Sequence, residues 1–209
     1  MEEKLSGKQP CLLISFVVDN GPSMDDVRLQ TLTDALARFA AEKREVCVEW
    51  EVLCFDGFSP TVIKAFHDDG LSTVPTRRFP LLGRTVLAAA DRLLARANTL
   101  REAGEQLYRP WMFLLSDGFT VDSMTQAAKR LDEMERAGEL LYLPFKLTPR
   151  LSTDRLQCLD RNKHIVEIKE GGIDDFFHFV QRMIEQRGTL SIDVGMKFNK
   201  SDFEGWAVL

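Results

Sequence analysis

The sequence predicts an α/β protein: a doubly wound, mostly parallel sheet of six strands, with one antiparallel edge strand and helices on both faces. Three observations carry that reading. Two short runs, CLLISFVV (11–18) and WMFLLS (111–116), are apolar throughout, as strands covered on both faces must be. Segments with helical periodicity alternate with the strand-like runs, which is the pattern of parallel strands joined by crossover helices. The composition is that of an ordinary globular chain: 209 residues, 44% hydrophobic and 28% charged, with a formal net charge of −5. The length supports a core without disulfide staples.

The elements follow in order. The first strand, 11–18, ends in Asp19-Asn20-Gly21-Pro22, which is turn chemistry. A helix follows from Ser23, with Ser23 and Asp26 at capping-box spacing and Leu29, Leu32, Leu36 and Phe39 on one face. Residues 46–55 and 61–66, separated by Asp56-Gly57-Phe58-Ser59-Pro60, read as an antiparallel pair. In the first of these, Val48, Trp50 and Val52 alternate with Glu49 and Glu51, as in a half-buried strand at the sheet edge. An irregular stretch, 67–84, leads to a helix opening near Thr85, with Leu87, Ala90, Leu94 and Ala97 inward. After the strand 111–116, Met124, Ala127, Ala128, Leu131 and Met134 mark a helix stopped by Gly138. A strand at 140–145, a short helix over 153–161 and a strand at 164–168 come next. The last helix, 174–187, turns Phe176, Phe177, Val180, Met183 and Ile184 inward; its FFHF run reads as core packing. The domain thus spans 11–187, between an extension over 1–10 and a C-terminal segment, 188–209, that serves as an added strand or a docking segment.

Several function classes are disfavoured. The mildly acidic balance, without a basic run, argues against nucleic acid and anionic membranes as partners. No apolar run reaches the ~18 residues of a membrane span, and the polar N-terminus lacks the order of a secretory signal. Cys11, Cys47, Cys54 and Cys158 form no C-x-x-C pair, which points to buried free thiols in a cytoplasmic protein. His67, His164 and His178 have no partner at ligand spacing. Arg77, Arg78 and Arg84 read as a solvated loop.

In a doubly wound sheet, ligands sit beyond the carboxyl ends of the strands. Asp19 and Asp117 each follow an apolar strand there, Ser23 lies close to Asp19, and Thr85 opens a separate helix. Two carboxylates in one crevice repel, and a divalent cation relieves the repulsion. Carboxylate and hydroxyl oxygens suit Mg2+ or Mn2+. Each residue also has a local alternative, as a turn or helix-capping group.

Three segments resemble the von Willebrand factor A family. D-N-G-P-S-M (19–24) is similar to its D-x-S-x-S signature, G-R-T-V-L (83–87) to its G-G-T-x-L segment, and L-L-S-D-G (114–118) to its T-D-G segment. All three occur in the family's order. Y-R-P-W-M-F-L-L-S-D-G-F-T-V-D (108–122) and the phenylalanine-rich last helix resemble the bacterial tellurium-resistance-associated, TerY-type branch. The resemblance implies a metal-ion-dependent adhesion site of Asp19, Ser23, Thr85 and Asp117 holding Mg2+ or Mn2+. It further implies a non-catalytic protein-interaction module in a stress-response or signalling complex. The partner would present an acidic residue; phosphatase- or kinase-like proteins are the kind the branch implies. Gly21 departs from the signature, standing where the first serine belongs. Either a water replaces the missing hydroxyl or the site no longer holds metal. A Mg-dependent phosphohydrolase and a structural subunit of a larger assembly are the alternative functions. The first lacks the usual second carboxylate, since Gly21 stands at its position.

Overall fold

The computed structural model describes residues 9–21, 24–55, 58–68, 70–74, 80–147, 156, 158–159, 165–188 and 200–208. Its strands are β1 (Cys11–Val18), β2 (Cys47–Phe55), β3 (Pro60–Lys64), β4 (Trp111–Ser116), β5 (Leu141–Lys146), β6 (Val166–Ile168) and β7 (Ala207–Val208). The helices are α1 (Asp26–Ala41), α2 (Leu82–Glu102), α3 (Thr125–Arg136) and α4 (Ile173–Gly188). A 3-10 turn at Lys200–Phe203 precedes β7. The strand order is β3-β2-β1-β4-β5-β6-β7, parallel from β2 to β6 and antiparallel at both edges. The six expected strands are therefore joined by a seventh, and the single antiparallel edge becomes two. The expected helix over 153–161 falls largely outside the described residues, as does the part of the C-terminal segment over 189–199.

The side-chain alternation of β1 divides the core. Leu12, Ile14, Phe16 and Val18 face α1 and α4, whereas Leu13 and Val17 face α2 and α3. Phe16 is the hub of the first layer: its ring stacks on Phe113 at 5.4 Å and meets Phe39, Trp50 and Phe177 at 5.5, 6.0 and 5.5 Å. Phe176, Phe177 and Phe179 are all buried, so the aromatic run of α4 is core. Trp206 extends the same cluster, lying 6.4 Å from Phe145 and 5.5 Å from Phe179. That packing anchors the C-terminal segment so that β7 pairs with β6.

Three local expectations shift. The N-cap of α1 is Asp25, whose side chain accepts from the Arg28 amide at 2.9 Å, and not Ser23. Helix α2 opens at Leu82, three residues before Thr85, and its buried stripe is Val86, Ala89, Ala90, Leu93 and Ala97. Leu87 and Leu94 are only partly buried against it. The glutamates of β2 do not mark an edge. Glu51 is fully buried one strand in, and α2 covers it.

Helix α2 carries the countercharges. Arg92 Nε donates to Glu51 Oε2 at 2.8 Å, and the Ser15 hydroxyl donates to Oε1 at 3.0 Å. Arg96 binds Glu49 in a two-point fork at 2.7 and 2.8 Å. Arginines one helical turn apart thus match carboxylates two strand residues apart. Burial pushes the Glu51 carboxyl up to about 7, against the lowering effect of Arg92.

The cysteines also depart from expectation. Cys11 and Cys47, 36 positions apart, are register partners in neighbouring parallel strands and form a disulfide. Cys54 is buried and Cys158 is exposed, and neither takes part in that disulfide.

Replacing Arg92 by alanine leaves Glu51 buried without its cation. Urea unfolding at pH 8 is expected to show a loss of ~1–3 kcal/mol, reduced from the fully buried case because Arg92 is 40% exposed. The loss is greatest where folded Glu51 is ionised, above its raised pKa of about 7, and shrinks as pH falls through that value and the carboxyl is protonated. Adding Glu51→Gln should recover most of it.

Candidate functional site

The sheet reverses its winding between β1 and β4, and their carboxyl ends form the crevice where doubly wound folds bind ligands. Val18 lies opposite Leu115, and the Asp19 amide donates to the Leu115 carbonyl at 2.8 Å. Asp19 and Asp117 therefore leave adjacent strands side by side, each almost wholly buried. The sequence places these carboxylates 98 positions apart; the pairing of β1 with β4 brings them together.

Their hydrogen bonds are unequal. Asp19 Oδ1 accepts from the Gly21 amide at 2.8 Å and Oδ2 from the Ser116 hydroxyl at 2.6 Å. Asp117 Oδ1 accepts from the Phe119 amide at 2.7 Å, but Oδ2 is buried with no hydrogen-bond partner among the described residues. Burial, and next the charge of Asp117, push the Asp19 carboxyl up to about 7. The donors Ser116 and Gly21 oppose that rise. The carboxyls are close enough that one proton on Asp19 would bind both.

The loops around the pair are tied to one another. Asn20 Nδ2 donates to the Phe55 carbonyl at 2.8 Å, fixing the β1 loop to the end of β2. A Cβ at Gly21 would stand 3.0 Å from Asp19 Oδ1 and 3.5 Å from the Pro80 ring. Glycine there leaves room for the Asp19 carboxylate oxygen that its own amide binds.

The start of α2 is capped from a distance. Leu81 supplies no side-chain cap. The Leu82 amide donates to Thr120 Oγ1 at 3.1 Å, and the amides of Gly83 and Arg84 donate to the two oxygens of Asp122 at 3.1 and 2.9 Å. The single Thr120 hydroxyl proton has two acceptors within reach, the Pro80 carbonyl at 3.1 Å and Asp122 Oδ1 at 2.5 Å. A carboxylate at a helix N-terminus satisfies orphan amides and opposes the helix dipole. The contact is close: a Cβ on Gly83 would lie 2.4 Å from the Ser123 carbonyl oxygen.

Of the four expected site residues, Asp19 and Asp117 meet. Thr85 is buried one turn into α2, where its hydroxyl donates to the Leu81 carbonyl at 2.9 Å; its lone pairs can still accept or coordinate. Ser23 lies outside the described residues, as do Arg77, Arg78 and His164. The sequence reading missed Ser116, Thr120, Asp122 and Asn20. A hydroxyl and a carboxylate at 120 and 122, just before α3, look like a cap for α3, and no periodicity shows that they cap α2.

Carboxylate and hydroxyl oxygens with an unsatisfied buried acceptor fit a hard divalent cation. No group of three or more His, Cys, Asp or Glu that could hold a metal ion occurs among the described residues, so hydroxyls or water would have to complete any coordination here. Phe119, whose amide binds Asp117, and Val121 in the same loop are exposed apolar side chains, 41% and 53% accessible.

No family model and no curated protein matches the sequence. Solved structures share the fold. Proximal thread matrix protein 1 from the mussel byssus superposes with a TM-score of 0.50 at 11% identity, over 88% of this chain and 47% of that one. Its second crystal form gives 0.50 at 11% identity, over 86% and 45%. The ArnB paralog VWA2 from Sulfolobus acidocaldarius gives 0.46 at 12% identity, over 74% and 39%. The chain spans less than half the length of each. The feature shared with the byssus protein is the fold alone, a doubly wound α/β sheet.

The carboxyl pair has a pH signature. Between the unfolded value of 3.8 and the folded value of about 7, the folded state holds one proton more, so stability declines as pH rises through that window. Asp117→Asn removes the charge facing Asp19 and puts an amide donor at the unsatisfied position. Thermal or urea unfolding in EDTA at pH 8 is expected to show a gain of ~1–2 kcal/mol, fading toward pH 4.

Proposed function

We propose that this chain is a non-catalytic protein-interaction module whose docking point is the crevice around Asp19 and Asp117. Asp19, Ser23, Thr85 and Asp117 would hold Mg2+ or Mn2+ there, and the partner's carboxylate would complete the coordination. The observation that carries the reading is the buried like-charged pair, with Asp117 Oδ2 lacking a hydrogen bond. Such a pair calls for a proton or a cation. A partly hydrated cation at a crevice rim binds a carboxylate by direct charge and leaves the chemistry of the partner unchanged. Gly21 supplies no side-chain oxygen, so water takes that coordination position, as is usual for magnesium.

The partner reads as a protein with an exposed acidic residue beside apolar side chains, which would lie against Phe119 and Val121. The setting we infer is a cytoplasmic bacterial stress-response or signalling complex of the tellurium-resistance kind, with a phosphatase- or kinase-like partner. That setting rests on the resemblance of residues 108–122 and of the phenylalanine-rich last helix. No helix among the described residues is long and apolar enough to cross a membrane.

Calorimetry with Mg2+ and with Mn2+ tests the docking point. Saturable binding is expected, with an affinity that rises from pH 6 to pH 8 as the cation displaces the proton on Asp19. Asp117→Ala should abolish it. Unchanged binding in that variant would reject the assignment.

A further inference from the structure

Cys11 and Cys47 sit at the amino ends of β1 and β2, the edge of the sheet away from the carboxyl pair. We propose that their disulfide is a reversible thiol–disulfide clamp, opened by a dithiol reductant at Cys47, that sets the local order of the corner where α1, β2 and α4 meet.

The two sulfurs differ in access. Cys11 is buried, 5% exposed, whereas Cys47 is an exposed residue at the start of its strand. Thiol–disulfide exchange requires in-line approach to a sulfur, so an external thiolate reaches Cys47 first. Buried bonds resist such attack, and exposed ones are the labile class. In the step, the reductant's thiolate bonds to Cys47 Sγ, the Cys11–Cys47 bond breaks, and Cys11 leaves as a thiolate that takes a proton. The reductant's second thiol then displaces Cys47. The protein gains two thiols, and the reductant becomes a disulfide.

The fold does not depend on the bond for its register. Seven residue pairs align β1 with β2. Cys11 is also held on its other side: its amide donates to the Gln106 carbonyl at 2.8 Å, and its carbonyl accepts from the Tyr108 amide at 3.0 Å. Opening the clamp leaves β1 in place and releases the start of β2, where the first buried residue is Trp50. That start carries the corner with it. Arg44 donates from Nε to Gln181 of α4 at 2.8 Å and lies 4.0 Å over the Phe39 ring of α1. Val46 presses on Gly188 so closely that a Cβ on the glycine would come within 2.5 Å. The clamp and these contacts share one five-residue connection, 42–46.

The test uses the full chain, first oxidised with glutathione disulfide, then incubated with or without a thioredoxin-type dithiol. Iodoacetamide labelling is mapped by mass spectrometry, and hydrogen exchange is followed on the same samples. Before reduction, Cys158 should label and Cys11 and Cys47 should not. After it, Cys47 should label ahead of Cys11, exchange should rise over residues 42–49, and β4 should keep its protection. The melting temperature should fall by ~5–15 °C and recover on reoxidation. Cys47→Ser should show the reduced pattern with or without the dithiol, and Cys158→Ser should keep the full response. Labelling of Cys11 and Cys47 after glutathione disulfide treatment would overturn the proposal. So would loss of protection across the whole sheet on reduction, which would make the bond a structural staple. A Cys47→Ser variant that exchanges like the oxidised protein would overturn it as well.

Discussion

Parallel pairing of β1 with β4 is the constraint on which the functional edge depends. It forces two chain segments, each ending in an aspartate, to finish at the same level and on neighbouring tracks. The side chains that follow have little freedom to separate, because Asn20 ties one loop to β2 and the Phe119 amide ties the other to its own aspartate. Repulsion between the carboxyls is thus a product of backbone geometry. Ser116 and the Gly21 amide stabilise one carboxylate, and the other keeps an unsatisfied oxygen.

The same sheet holds a second set of acids, one buried and one half-buried, and the contrast defines what is unusual at the crevice. Glu49 and Glu51 lie under α2 and are met by Arg96 and Arg92. There the protein supplies its own countercharge, and the arrangement is complete. Among the described residues, no salt bridge reaches Asp19 or Asp117. Burial raises Glu51 and Asp19 alike, yet only the crevice leaves the charge to be balanced from outside the described residues.

Much of the fold was legible because two signals are local. Unbroken apolar runs mark β1 and β4, and the turn residues after Phe55 mark the β2–β3 hairpin. The aspartates at the strand ends followed from the general rule for such sheets. What was not legible is set by register across long separations. Alternation in β2 suggested a wet face, since a sequence pattern does not distinguish a glutamate facing water from one facing an arginine. The Cys11–Cys47 bond depends on the parallel register, which spacing does not reveal. The cap of α2 comes from residues on the far side of β4, so no signal next to Leu82 announces it. The seventh strand is two residues long, too short for any pattern to show.

That seventh strand has a consequence for biosynthesis. Until β7 arrives, β6 presents an open row of backbone donors and acceptors, ready to template a foreign strand. Its cover consists of Ala207 and Val208, held down by the Trp206 ring against Phe145 and Phe179. A nascent chain carries this sticky margin until residues 206–208 have been made and have docked. A chain stalled or clipped before Trp206 would retain almost the whole sheet and yet be the form most prone to self-association.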